Sequence, residues 1–70
     1  MNLWINGNQQ EFETQSSERL TVAQVVAHLG WSSQRVAVEL NGLVVPKHEH
    51  ESTDVKSDDK VEVVTLIGGG

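Results

Sequence analysis

The sequence has 70 residues, of which 37% are hydrophobic, and a formal net charge of −5. A chain of this length builds one small domain with a modest core, which excludes a second domain and leaves little room for a buried multi-residue active site. The acidity argues against nucleic acid as a partner, because no basic stripe offsets it. It suits a partner protein with a basic face, or it serves only to keep the protein in solution.

The sequence contains no cysteine. Disulfides, thiolate metal sites and a thiol nucleophile are therefore excluded, and the absence of disulfides favours a reducing compartment. The first residues show no signal-peptide pattern, and no apolar run approaches the ~20 residues that a membrane span needs. We therefore expect a cytoplasmic protein that does not enter a membrane.

The first predicted element is a β-hairpin. A short apolar run from Leu3 to Ile5 is followed by Asn6-Gly7, a dipeptide typical of two-residue hairpin turns. Residues 10–13 then alternate between polar and apolar, as the returning strand of a hairpin does.

The next predicted element is a helix. Thr21 is a good N-cap, and Gln24 stands three residues later, where it completes a capping box. The apolar residues that follow share one helix face: Val22, Val25, Val26 and Leu29. Gly30 comes next, where a left-handed glycine commonly ends a helix. The pattern predicts one helix from Val22 to Leu29.

A second hairpin is predicted after the helix. Alternate positions are apolar from Val36 to Leu40, which is typical of a half-buried strand. Asn41-Gly42 is again a hairpin turn, and the returning strand ends at Pro46, which cannot donate to a ladder.

The last predicted strand follows a long polar connection. Residues 47–60 are polar apart from Val55, which we expect to enter the core. The strand then runs from Val61 to Ile67, with Val63 and Val64 on opposite faces.

The order strand, strand, helix, strand, strand, strand indicates an α+β fold. A helix too short to be stable alone must cover one face of the sheet. We predict a ubiquitin-like β-grasp, a mixed sheet of about five strands packed on one helix, with the first and last strands side by side in the centre. Residues 1–67 would form this domain, and residues 68–70 a flexible glycine tail.

The tail consists of Gly68, Gly69 and Gly70. Terminal glycines are often only a disordered end or a vector-derived linker. Here they directly follow an apolar strand, and an α-carboxylate at Gly70, ionised at neutral pH, can attack the α-phosphate of ATP. Glycine is slender enough to enter a narrow channel of a partner enzyme. We therefore expect Gly70 to be adenylated and to hold sulfur as a thiocarboxylate, with Gly68 and Gly69 providing access.

Three segments resemble a known family: the opening from Leu3 to Gly7, the stretch from Val36 to Pro46, and the ending from Val61 to Gly70. Through them the chain resembles, over essentially its whole length, the ThiS branch of the ThiS/MoaD sulfur carriers, proteins of thiamine biosynthesis. The middle segment is quite specific, whereas ubiquitin-like modifiers share the double glycine. The chain departs from the family pattern between Lys47 and His50, where a bulky aromatic residue is common, and at Asp58 to Lys60, where an Asp-Gly-Asp turn is common.

The resemblance implies a recycled cosubstrate and not an enzyme. A ThiF-like enzyme would adenylate Gly70 with ATP, a cysteine desulfurase-fed donor would convert it to a thiocarboxylate, and a ThiG-like thiazole synthase would take the sulfur into the thiazole ring. The chain itself would need no cofactor.

Three alternative functions remain open at this point. Feeding thiazole to a deletion strain would restore growth only if the chain serves thiamine synthesis, so it would not restore growth for a MoaD-like molybdopterin carrier. A ubiquitin-like modifier would leave lysine-linked adducts. A β-grasp binding module would tolerate a residue added after Gly70, whereas a carrier would lose activity.

The predicted sheet also offers candidates for a partner interface. If the neighbours of Trp4 point to the helix, Trp4 points to the opposite face, and an exposed aromatic and aliphatic patch commonly marks an interface. The residues that can join it are Val64, Leu66 and Ile67. Alternatively, a loop covers Trp4 or Trp4 is the inward residue. We expect Trp31, just after the helix, to pack in the core.

The histidines are weaker candidates. His48 and His50 could bind a metal ion from one face of an extended segment, but two ligands without a third make a weak site. We therefore expect a solvated polar loop and no metal. His28 is interpreted as a surface residue near the helix end, where a positive charge is favourable.

Overall fold

The computed structural model describes residues 1–14 and 19–66. Within these residues, one α-helix packs on one face of a five-stranded mixed sheet. The elements in chain order are β1 (Asn2–Ile5), β2 (Asn8–Glu11), α1 (Val22–His28), β3 (Val36–Leu40), β4 (Leu43–Val45) and β5 (Lys60–Thr65). The strands lie in the order β2-β1-β5-β3-β4, and β1 is parallel to β5. This confirms the predicted β-grasp with its first and last strands side by side.

Two Asn-Gly turns set the antiparallel pairing, as predicted. Asn6 and Gly7 have φ angles of 50° and 86°, and Asn41 and Gly42 have φ angles of 52° and 87°. Positive φ at both central positions is the type I′ turn, whose twist matches that of the flanking strands. The turns therefore join β1 directly to β2, and β3 directly to β4.

The helix is bounded by the predicted caps. Thr21 Oγ1 accepts a hydrogen bond from the Gln24 N–H at 3.2 Å, and Gln24 Oε1 accepts one from the Thr21 N–H at 2.8 Å. At the other end, Gly30 has a φ of 86°, and the N–H groups of Gly30 and Trp31 bond back to carbonyls of the last turn. These bonds form a Schellman motif, and the helix ends at His28, one residue before the predicted end.

The core lies between the helix and the face of the sheet that the helix covers, here called the inner face. Its buried apolar side chains are Leu3, Ile5, Phe12, Val22, Val25, Val26, Val36, Val38, Val45, Val55, Val61 and Val63. The predicted alternation of the strands and the predicted burial of Val55 are confirmed. β5 ends at Thr65, before the predicted end at Ile67, which lies outside the described residues. None of the described helices is long and apolar enough to cross a bilayer.

His50 belongs to this core, so its interpretation as part of a solvated loop is wrong. Its side chain is only 1% exposed, with Nε2 3.1 Å from the Val45 carbonyl and Nδ1 2.8 Å from Ser33 Oγ. Because a carbonyl can only accept, Nε2 carries a hydrogen. His48 is exposed, as expected. In residues 1–14 and 19–66, no three His, Cys, Asp or Glu side chains are grouped so that they could hold a metal ion.

Candidate functional site

The strand that leads to the glycines, β5, has neighbours of different length. β3 pairs with it as far as Thr65, and the Leu66 N–H still donates to the Arg35 carbonyl at 2.8 Å. β1 pairs with it only as far as Val61, because the chain turns away after Ile5. Residues 62–65 therefore run past the end of β1, and we call their side that faces away from β3 the open edge.

The side chain of Asn6 occupies the first position of this edge. Its Oδ1 accepts from the Val63 N–H at 2.7 Å, and its Nδ2 donates to the Val63 carbonyl at 3.1 Å. A primary amide has a donor and an acceptor side by side, so it pairs with the main chain as a neighbouring strand would. Sequence reasoning identified Asn6 only as a turn residue and missed this contact.

Beyond Asn6, the open edge borders a cleft of about 530 Å³. Residues 62–65 line it from the sheet, and Leu29 and Trp31 line it from the end of the helix. Trp31 is 48% exposed, so the expectation that it packs in the core is wrong. Its main-chain N–H completes the Schellman motif, which holds Trp31 at the helix end without requiring its ring to be buried. In the sequence, the position of Trp31 directly after the helix-ending glycine was the feature that could have indicated its place at the end of the helix.

The predicted interface residues lie on the outer face, the face of the sheet without the helix. Trp4, Val64 and Leu66 are 37%, 59% and 50% exposed, in agreement with the predicted orientation of Trp4. They do not form one patch, because Trp4 is level with Lys60. Val64 lies four positions further along β5, about 13 Å away at ~3.3 Å per residue. Their role in a partner interface stays a prediction.

The predicted modification site and its access residues, Gly70, Gly69 and Gly68, lie outside the described residues, as does Ile67. The last described residue is Leu66, one position past β5, and its N–H donates to the Arg35 carbonyl. The division of the chain into a domain of residues 1–67 and a tail of residues 68–70 therefore stays a prediction.

Two glutamates stand opposite each other on the outer face. Glu39 and Glu62 are a cross-strand pair of β3 and β5, and both are exposed. The ion pairs found among the described residues lie elsewhere; in one of them, a hydrogen bond and the opposite charge of Asp54 raise the pKa of Arg19. Like charges directly opposite each other are destabilising in a sheet. The two carboxylates give the outer face a negative centre beside Val64.

Comparison with known families and solved structures gives consistent matches. The model of the ThiS family matches residues 3–70. A crystal structure of the thiamine biosynthesis protein ThiS from Geobacter metallireducens is 35% identical, with a TM-score of 0.77 and both chains covered in full. A solution NMR structure of a thiamine biosynthesis protein from the same organism gives a TM-score of 0.79 at 35% identity, over all of this chain and 88% of that one.

Sequence relatives extend these matches. A thiazole synthase of Paramagnetospirillum magneticum is 41% identical over 70 residues, which are all of this chain and 20% of that protein. A protein of Porphyra purpurea named as the uncharacterized protein ycf40 is 37% identical over 54 residues, which are 77% of this chain and 76% of that protein. The chain thus spans about a fifth of the length of the thiazole synthase that it matches.

Proposed function

The chain belongs to the ThiS family, and on this premise we propose that it is a sulfur carrier protein of thiamine biosynthesis. The group that bears the sulfur is the carboxylate of Gly70. The observation that carries the proposal is the family match itself, which spans residues 3–70 and so includes the glycines. The likeness to solved thiamine biosynthesis proteins over the whole of this chain supports it.

The thiazole synthase relatives support a partnership with such an enzyme. In Paramagnetospirillum magneticum, a segment similar to this chain is part of a protein named thiazole synthase. Joining two modules in one chain raises their effective concentration for each other, which is useful when they act in succession. We therefore propose a ThiG-like thiazole synthase as the partner that takes the sulfur. A ThiF-like adenylating enzyme and a cysteine desulfurase-fed donor are the proposed partners that supply it.

The proposed cycle is acyl chemistry at Gly70. A carboxylate oxygen attacks the α-phosphorus of ATP and pyrophosphate leaves, so that the carboxylate becomes an acyl-adenylate. The donor carries sulfur as a persulfide, and a thiol reductant supplies the two electrons that bring it to the oxidation level of sulfide. This sulfur attacks the acyl carbon, AMP leaves, and a thiocarboxylate remains. After the synthase has taken the sulfur, an oxygen from water restores the carboxylate. ATP is bound by the adenylating enzyme, so the carrier needs no cofactor of its own.

The described structure suits a tail that must be presented to another protein. β5 is anchored through the buried side chains of Val61 and Val63, its pairing with β3 runs to Thr65, and the Leu66 N–H donates to the Arg35 carbonyl just before β3. The residues that follow start from a fixed point, and glycine without a Cβ fits a narrow channel. The exposed Val64 beside this point gives a partner apolar surface to cover.

Intact-mass measurement tests the proposal. The chain is incubated with ATP, a ThiF-like enzyme and a sulfur source, and we expect a mass increase equal to the replacement of one oxygen by sulfur. Gly69→Leu is the matched control, because it keeps the fold and blocks entry of the tail, so its mass should not change. A wild-type chain that keeps its mass, or a Gly69→Leu variant modified at the wild-type rate, contradicts the carrier function.

A further inference from the structure

We propose that the open edge of β5 at Thr65 receives an extended segment of the adenylating enzyme, which pairs with it as an additional strand. The proposal rests on the carrier function proposed above, because this edge directly precedes the residues that have to enter the enzyme.

The alternation of main-chain groups along β5 directs the N–H and C=O of Thr65 away from β3, to the open edge. Alternate residues of an antiparallel strand direct their N–H and C=O groups to opposite sides. Leu66 bonds toward β3 through the Arg35 carbonyl, whereas Val63 bonds in the opposite direction to Asn6. Thr65 is in phase with Val63, so its N–H and C=O point to the side that β1 has left. Within residues 1–14 and 19–66, no group forms a hydrogen bond with them.

Apolar side chains flank this position on both faces of the sheet. Leu29 and Trp31 line the cleft on the inner side. Val64 and Leu66 are exposed on the outer side. A strand placed next to Thr65 directs successive side chains to the two sides in turn. The segment that fits therefore carries apolar residues at adjacent positions, one for each side.

The short length of the tail requires the enzyme to bind close to the open edge. Residues 67–70 separate Leu66 from the reacting carboxylate, and fully extended they reach about 14 Å. The nucleotide site of the enzyme must come within this distance of Leu66, so the enzyme surface around its channel meets the cleft and the open edge. A strand added there continues the sheet toward the channel and favours an extended tail.

Charge favours an enzyme segment over a second copy of this chain. Glu62 lines the cleft and stands opposite Glu39, in a chain with a net charge of −5. A second copy paired at the same edge brings a second chain with a net charge of −5 next to the first. A segment with a lysine or arginine next to its apolar residues meets a complementary potential instead.

Amide hydrogen exchange in the complex with a ThiF-like enzyme tests the pairing. In the free chain the Thr65 amide is expected to exchange fast, and the hydrogen-bonded amides of Val63 and Leu66 slowly. In the complex we expect the Thr65 amide to slow by about tenfold. An unchanged Thr65 amide in a complex that still yields thiocarboxylate overturns the added strand and leaves the carrier function intact. Protection of Thr65 in the free chain at high concentration indicates pairing of two copies and also overturns it.

Variants of Thr65 test the same contact by kinetics. Thr65→Pro removes the donor at the open edge without removing a hydrogen bond to β3, and proline is tolerated on strand edges. We expect an unchanged Tm and a KM for the carrier, measured by ATP–pyrophosphate exchange, that is about tenfold higher. Thr65→Val keeps both main-chain groups and is the matched comparison, so its KM should rise much less than that of Thr65→Pro. A folded Thr65→Pro variant with the wild-type KM overturns the proposal.

Two further variants keep the test decisive if Thr65→Pro does not fold. Trp31→Ala removes half-exposed apolar surface from the cleft and should raise the KM, whereas Leu43→Ala removes exposed apolar surface from β4 at the edge of the sheet and should not. Equal KM values for these two variants overturn the proposed location.

Discussion

Val63 and Val64 are neighbours in β5, yet they represent two regions of the molecule with different surroundings. Val63 is 8% exposed and belongs to the core beneath the helix, whereas Val64 is 59% exposed on the outer face close to the tail. Burying a valine side chain contributes ~1.5–3 kcal/mol to folding. The inner face therefore stabilises the domain, whereas the outer face leaves apolar side chains exposed. One alternating strand thus separates buried from exposed valines by face, and a role of the exposed face in recognition stays a prediction.

The largest expected effect comes from placing the same charge on either face. Val63→Asp puts a carboxylate among buried valines, and we expect a loss of about 4 kcal/mol or more, which is most of the stability of a domain this size. Val64→Asp should change the free energy of unfolding by less than about 0.5 kcal/mol and weaken binding to the adenylating enzyme. Urea denaturation of both variants measures the difference. Equal losses would show that the two faces do not differ as described.

A smaller effect is expected in the connection before β5, where one histidine is buried and another is exposed. His50→Ala leaves the Val45 carbonyl and the Ser33 hydroxyl without their partner and opens a cavity, so we expect a loss of about 2–3 kcal/mol. His48→Ala removes an exposed side chain and should cost less than about 0.5 kcal/mol. Thermal unfolding of the two variants compares them, and similar Tm values would contradict the structural role of His50.

The smallest effect concerns the charges on the outer face. Glu62→Gln removes the repulsion with Glu39 and should stabilise the domain by about 0.5 kcal/mol at low salt, and by less at high salt because the repulsion is screened. Glu51→Gln changes the net charge equally at an exposed site outside the sheet and is the control. If both variants gain the same stability, the effect is one of net charge, and the cross-strand pair is not responsible.

Much of the fold could be predicted because its signals are short-range. Asn41-Gly42 alone supplies the two positive φ angles that a type I′ turn requires. Thr21 and Gln24, three positions apart, form the complete capping box. The predicted chemistry at Gly70 likewise rests on the residue type and on the family resemblance. It stays a prediction that the intact-mass measurement tests.

The errors arose where a residue's environment depends on distant parts of the chain. His50 stands in a polar sequence, but Ser33 and the Val45 carbonyl satisfy both ring nitrogens and allow burial. The place of Trp31 just after the helix predicts packing in the core, but its position is set by the helix-ending motif at the rim of the cleft. Neither result could follow from residue type, because burial of a polar side chain depends on partners that only the folded chain supplies.

The sequence by itself determined the turns, the helix with its caps, the alternation of the strands and the family to which the chain belongs, since each depends on neighbouring residues or on a continuous match. Only the tertiary structure decided where β5 is left open. That edge exists because β1 turns away after Ile5 while β3 continues beside β5, and because Asn6 reaches Val63, a residue 57 positions away. Contacts over such a separation form only when the parallel central strands are brought together, so no local pattern contains them.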